Sequence, residues 1–192
     1  MSEMATNIQD NLITVEEFEG MAEWLRASGR DYELVDGKIV KKMPSKDWHT
    51  HVINLIIAYL EMHLITNNIP GITTSQTTGF QFNDHHCPEP DIAYIRSMTS
   101  YANQHCITDH WPDLVVEVVS NPNNNEEIRR LDTDRPVWLE RGATVWEVWA
   151  EARYVKIFVG EDEPRIEREK LTFAGLPGLE IPLDVVFAKL DQ

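Results

Sequence analysis

The chain has 192 residues, 42% of them hydrophobic and 26% charged, and its 17 Lys and Arg against 32 Asp and Glu give a formal net charge of −15 at pH 7. That composition describes a globular chain with enough apolar material for a full core, and the charge argues against a non-specific DNA coat, because sequence-independent phosphate binding runs on Lys and Arg. The longest apolar stretch, 52 to 65, is interrupted by Asn54, Glu61 and His63, so it falls short of the roughly 20 clean residues of a membrane span.

Residues 1 to 12 read as a flexible arm; its opening MSEMATNIQDN is polar and lacks a signal core, so a cytoplasmic protein is expected. Thr14 with Glu17 three residues on forms a capping box that opens a helix through Leu25, with Phe18, Met21, Ala22 and Leu25 on its apolar face and Gly29 after its end. YELVDGKIV (32 to 40) predicts two short strands around Asp36-Gly37, a strong hairpin signal. Pro44-Ser45 starts a second helix of about five turns, since Val52, Ile56, Leu60 and Leu64 recur at helical spacing.

Past Pro70-Gly71 the pattern changes to period two. It predicts a strand over 72 to 82, the loop NDHHCPEP, and a strand over 91 to 95. DLVVEVVS (113 to 120) reads as a buried strand, and a helix follows around 126 to 141, broken or restarted at Pro136 and closed by Gly142. Residues 144 to 150 and 154 to 159 alternate like an antiparallel hairpin, 165 to 173 adds a strand, and the tail closes as an irregular segment. Strand, helix and strand in this order predict an α/β (α+β) fold with a mixed sheet, as one domain over 13 to 192.

Two acids carry the main chemical signal. Asp91 stands at the mouth of one strand and Glu117 inside the next, where Leu114, Val115, Val116, Val118 and Val119 make both faces apolar. An unpartnered acid there is expensive to bury, and two carboxylates on adjacent strands can converge on one divalent cation. Taken alone, Asp91 reads equally as a strand-start cap and Glu117 as an outward-facing acid. His85, His86 and Cys87, with His105, Cys106 and His110, invite a zinc reading, but their spacing matches no compact zinc motif; they read as loop-surface histidines and unremarkable cysteines, too few for a disulfide framework. Trp146 and Trp149 point to opposite faces of their strand, so one belongs to the core.

Seven phrases stand in order along the chain: TVEEF, YELVDGKIV, GFQF, PDIAYI, PDLVVEVVS, GATVWEVW and LPGLEIP. Together they resemble the Uma family of putative restriction endonucleases, within the PD-(D/E)XK nuclease superfamily. The resemblance implies a restriction-endonuclease-like mixed central sheet flanked by helices and hydrolysis of DNA phosphodiesters with Mg²⁺ (or Mn²⁺). It makes Asp91 the motif aspartate and Glu117 the second acid, both metal ligands, and Glu33 a third acid at the site. The superfamily lysine two residues after the second acid is here Val119. The family's displaced lysine on the following helix falls near Asp134, counting back from Trp138 and Gly142, and residues 47 to 155 contain no lysine. Arg129, Arg130 or Arg135 could supply charge, and His49, at the start of the long helix, is a candidate for substrate contact. A twofold dimer is expected, since such nucleases cut two strands, with the closing GLEIP segment and exposed tryptophans as its apolar surface. The competing expectations are a catalytically degenerate nuclease fold acting as a binding or assembly module, and a zinc or small-molecule protein using the His/Cys loops.

Overall fold

Thr14 opens the first helix through the capping box. Its backbone N–H and hydroxyl donate to Glu17 Oε2 at 2.8 and 3.1 Å, and the Glu17 N–H donates back to the hydroxyl at 3.2 Å. The helix, α1, spans Val15–Ala27 in a computed structural model that describes residues 12–27, 32–42, 46–101 and 105–190. The expected helix stop at Gly29, the helix start at Pro44-Ser45 and nearly all of the arm lie outside the described residues. Strands β1 (Tyr32–Val35) and β2 (Lys38–Lys41) form the predicted hairpin. Its turn residues Asp36 and Gly37 have φ of 48° and 74°, the left-handed pair that a two-residue hairpin turn requires.

Six strands build the main sheet: β3 (Ile72–Ser75), β5 (Ile92–Ile95), β7 (Leu114–Val118), β8 (Thr144–Trp149), β9 (Tyr154–Val159) and β10 (Arg165–Glu167). Their order across the sheet is β10-β9-β8-β7-β5-β3, and only β7 and β8 run parallel, joined through helix α3 (Asn125–Glu140). Alternation then assigns the two faces. Ile92, Tyr94, Leu114, Val116, Val118 and Trp146 pack on α2 (Asp47–Asn67), while Ala93, Ile95, Val115 and Val145 pack with Trp138 of α3. The mixed sheet between two helical layers is the expected class of fold, and Trp146 is the core tryptophan of its strand.

Several expectations are corrected. The strand over 72 to 82 divides into β3 and β4 (Gly79–Phe80), because the second piece leaves the sheet to pair with β6 (Cys106–Ile107). Helix α3 runs unbroken through Pro136, whose exposed position puts its missing N–H on the solvent side of the helix. The strand over 165 to 173 is two strands, β10 in the main sheet and β11 (Lys170–Phe173) outside it. The tail is regular: β12 (Leu176–Pro182) pairs with β11 and leads into α4 (Leu183–Val186). Leu179 and Ile181 of β12 are buried in the α2 core, so the closing segment offers no apolar docking surface, and of the six tryptophans only Trp24 is exposed.

The cysteines were also misread by local pattern. Cys87 and Cys106 are buried and joined in a disulfide. They belong to a satellite cluster with Phe18 of α1 and Leu34 of β1, which fastens the N-terminal helix and hairpin to the sheet. Gly79 passes so close that a Cβ there would stand 2.5 Å from Cys87 Sγ.

Candidate active site

Asp91 immediately precedes β5, and the antiparallel register that sets Ile92 against Val116 places it opposite Glu117 of β7. The two acids therefore meet at the end of the strand pair, as their positions in the sequence lead one to expect. Three contacts fix Asp91. Gln76 Nε2 donates to Oδ1 at 3.1 Å, the Val118 N–H donates to Oδ2 at 2.7 Å, and His49 Nε2 lies 3.2 Å from Oδ2. A carboxylate offers about four lone-pair directions, so roughly one remains outward.

His49 is buried on the first turn of α2, and its Nε2 also stands 3.0 Å from the Val118 carbonyl, which requires that nitrogen to carry the proton. It holds Asp91 from behind, buried between that carboxylate and the Val118 carbonyl. Gln76, in the turn that interrupts the predicted strand, does the same from the other side. No periodic pattern marks it, and the sequence reading missed it.

Glu117 stands differently. Among the described residues no donor bonds its half-buried carboxylate; burial, and then the charge of Asp91, push its pKa well above the ordinary carboxylate value, with Arg130 and Lys42 partly opposing. Asp91 moves the other way. Burial opposes its ionisation, but the hydrogen bond and charge of His49, with the Val118 N–H and Gln76, prevail and hold its pKa low. Two acids driven apart by their surroundings are a pattern of functional sites.

Helix α3 lies over this end of the sheet and directs a stripe at i, i+4 and i+8 toward it: Arg130, Asp134 and Trp138. Trp138 fills the core below. Arg130 Nη1 donates to Glu33 Oε1 at 2.5 Å, and Glu33 is a buried residue of β1 rather than a surface hairpin acid. Glu33 thus joins the site through Arg130. Asp134 is buried 3.3 Å from His86 Nε2, while His86 Nδ1 bonds Asp36 Oδ1 at 2.9 Å. His86 and His105 are both buried, which corrects their reading as loop-surface residues. Their neighbours Cys87 and Cys106, oxidised together, have no thiolate to give zinc.

Two further charges escaped the sequence reading. Lys42, just after the hairpin, donates to Glu89 Oε2 at 2.9 Å and to the Gln76 carbonyl at 2.8 Å, so a lysine from outside 47 to 155 does stand by the site. Glu147 is the register neighbour of Glu117 on β8, but Arg135 Nε at 2.6 Å and Trp149 Nε1 at 3.3 Å already satisfy its carboxylate.

The model of the Uma2 family, described as putative restriction endonuclease, matches residues 15–185. The chain belongs to the Uma2 family. A crystal structure of a putative nuclease belonging to DUF820 from Anabaena variabilis shares its fold with a TM-score of 0.70, at 16% sequence identity, over 92% of this chain and 98% of that one. No curated protein matches. Among the described residues no helix is long and apolar enough to cross a membrane.

His86 makes the site's flank sensitive to pH. Burial disfavours its charged ring, yet Asp134 and Asp36 together prevail and raise its pKa above 6.5. A raised pKa contributes stability that is complete below the unfolded value and is lost as pH climbs through the folded one. The unfolding midpoint of the protein should therefore fall between pH 6.5 and 8.5 by more than that of His86→Gln, with a difference worth about 1 kcal/mol or less. Parallel profiles for the two proteins would remove the charged His86 from this account.

Proposed function

We propose that this chain is a divalent-metal-dependent endonuclease acting on DNA phosphodiesters, with Asp91 and Glu117 as the metal ligands, in a single domain over 13 to 192. The observation that carries the reading is Glu117: a half-buried carboxylate with no donor among the described residues, opposite a second carboxylate, is what a bound cation would relieve. Among the described residues no group of three or more His, Cys, Asp or Glu is arranged to hold a metal. Mg²⁺ does not demand one, since it is commonly held by one or two carboxylates with waters and substrate phosphate.

When bound, such an ion activates a water and stabilises charge on the phosphoryl oxygens. The chain's own residues do the rest. Gln76, His49 and the Val118 N–H keep Asp91 ionised and aimed, and Glu117 faces it from the neighbouring strand. Asp134, near the family's lysine position, favours slow cleavage: a lysine that orients water and stabilises the transition state is commonly worth about a hundredfold in rate. That same observation supports the second reading, a nuclease fold retained as a binding module.

Thermal unfolding and plasmid nicking with Mn²⁺ test the proposal together. A metal-induced rise in the unfolding midpoint that is lost in Asp91→Asn and Glu117→Gln is expected, with slow nicking lost in the same variants. Metal stabilisation without nicking would favour the binding module, and no stabilisation would end the metal-site reading. A twofold dimer remains part of the proposal, because cutting two strands calls for two sites; light scattering of a monomer at high concentration would remove it.

A further inference from the structure

We propose that Arg130 is the cation that meets the substrate phosphate in this site, standing one helical turn before the position where the family places its lysine, with Glu33 as its positioning residue. The inference rests on the nuclease reading. Its support is the arrangement on α3. Arg130 and Asp134 are four residues apart on one face, and Asp134 is engaged by His86. Arg130 is held through a single nitrogen. Among the described residues Glu33 is its only hydrogen-bond and ion-pair partner, and its side chain is 38% exposed. A guanidinium has five N–H donors, so most of the fork is available.

Its charge acts most on Glu33 and then, in falling order, on Glu117, Asp134 and Asp91, yet neither Asp91 nor Glu117 makes an ion pair with it. The group is near enough to act on both acids without pairing with either. Lys42 is the weaker alternative: Glu89 and the Gln76 carbonyl already engage its ammonium, and Arg130 acts more strongly on Glu117. Phosphate suits the remaining fork, because a planar guanidinium binds two phosphoryl oxygens side by side. In a chain of net charge −15 it is a local cation at an otherwise acidic site.

The roles of Arg130 as phosphate contact and as structural pin predict opposite results in binding. Mn²⁺ affinity by calorimetry and affinity for a duplex oligonucleotide in Ca²⁺ by fluorescence anisotropy would be measured for the whole protein. Arg130→Gln should tighten Mn²⁺ severalfold, by removing a positive charge, while weakening the duplex about tenfold or more. Arg129→Gln, an exposed change of equal charge on the same helix, should weaken the duplex by only about twofold. Should Arg130→Gln misfold because Glu33 is left buried and unpaired, the double variant Arg130→Gln with Glu33→Gln removes that cost and should show the same split. Duplex affinity unchanged, or Mn²⁺ and duplex affinity falling together, overturns the role of Arg130 while leaving the metal site standing. Wild-type protein that binds no Mn²⁺ overturns both.

Discussion

Reducing the Cys87–Cys106 disulfide is expected to lower the unfolding free energy by about 3 kcal/mol, the chain-entropy value for closing a loop of some 20 residues, and the midpoint by roughly 6–12 °C for a protein of this size. The separation of the two cysteines is 19 positions. The bond does more than shorten the unfolded chain. It lies in the cluster that holds α1 and β1 against the sheet, and β1 carries Glu33. Its loss therefore loosens the anchor of Arg130 as well as the fold. Denaturation with and without a thiol reductant measures the effect, and Cys87→Ala with Cys106→Ala should reproduce it. Equal midpoints in both states would mean that the cross-link contributes nothing to stability.

Glu117→Gln is expected to stabilise the metal-free protein at neutral pH while abolishing its response to metal. The folded pKa of Glu117 lies well above 4.5, so its contribution to stability is complete below pH 4.5 and is lost as pH rises through the folded value. At pH 7 to 8 the wild type must either bind a proton or bear an ionised acid beside Asp91. Glutamine removes that cost, worth roughly 1–2 kcal/mol or a midpoint gain of about 2–8 °C. Near pH 4.5 the two proteins should converge, and saturating Mg²⁺ should raise the wild type alone. A variant less stable than wild type in chelator at pH 8 would contradict the strained acid on which the functional reading stands.

What the sequence revealed follows the range of the interactions concerned. The capping box of Thr14 and Glu17, the Asp36-Gly37 turn and the valine strand around Glu117 are local signals, and each produced the element it announced. The pairing of Asp91 with Glu117 was legible because adjacent strands bring two such acids together by register alone. The rest depends on contacts across the chain. Gln76 turns away from its strand to reach a residue 15 positions on, and Lys42 meets Glu89 across 47. His86 is buried because the hairpin turn and α3 close over it from two sides. None of these leaves a period in the sequence, and the disulfide leaves only two cysteines 19 positions apart.

The contact between Glu33 and Arg130 spans 97 positions. During synthesis the hairpin leaves the ribosome complete, with its acid in place, long before the helix that supplies the arginine exists. Asp91 and Glu117 are also made before that helix, so a nascent chain ending short of it has Glu33, Asp91 and Glu117 and none of α3's positive charge. Long-range contacts of this kind form late in folding, when loop closure has already been met by other contacts. These three acids are thus made before the arginine, and a truncated product of translation would carry them without the group that we propose meets the phosphate.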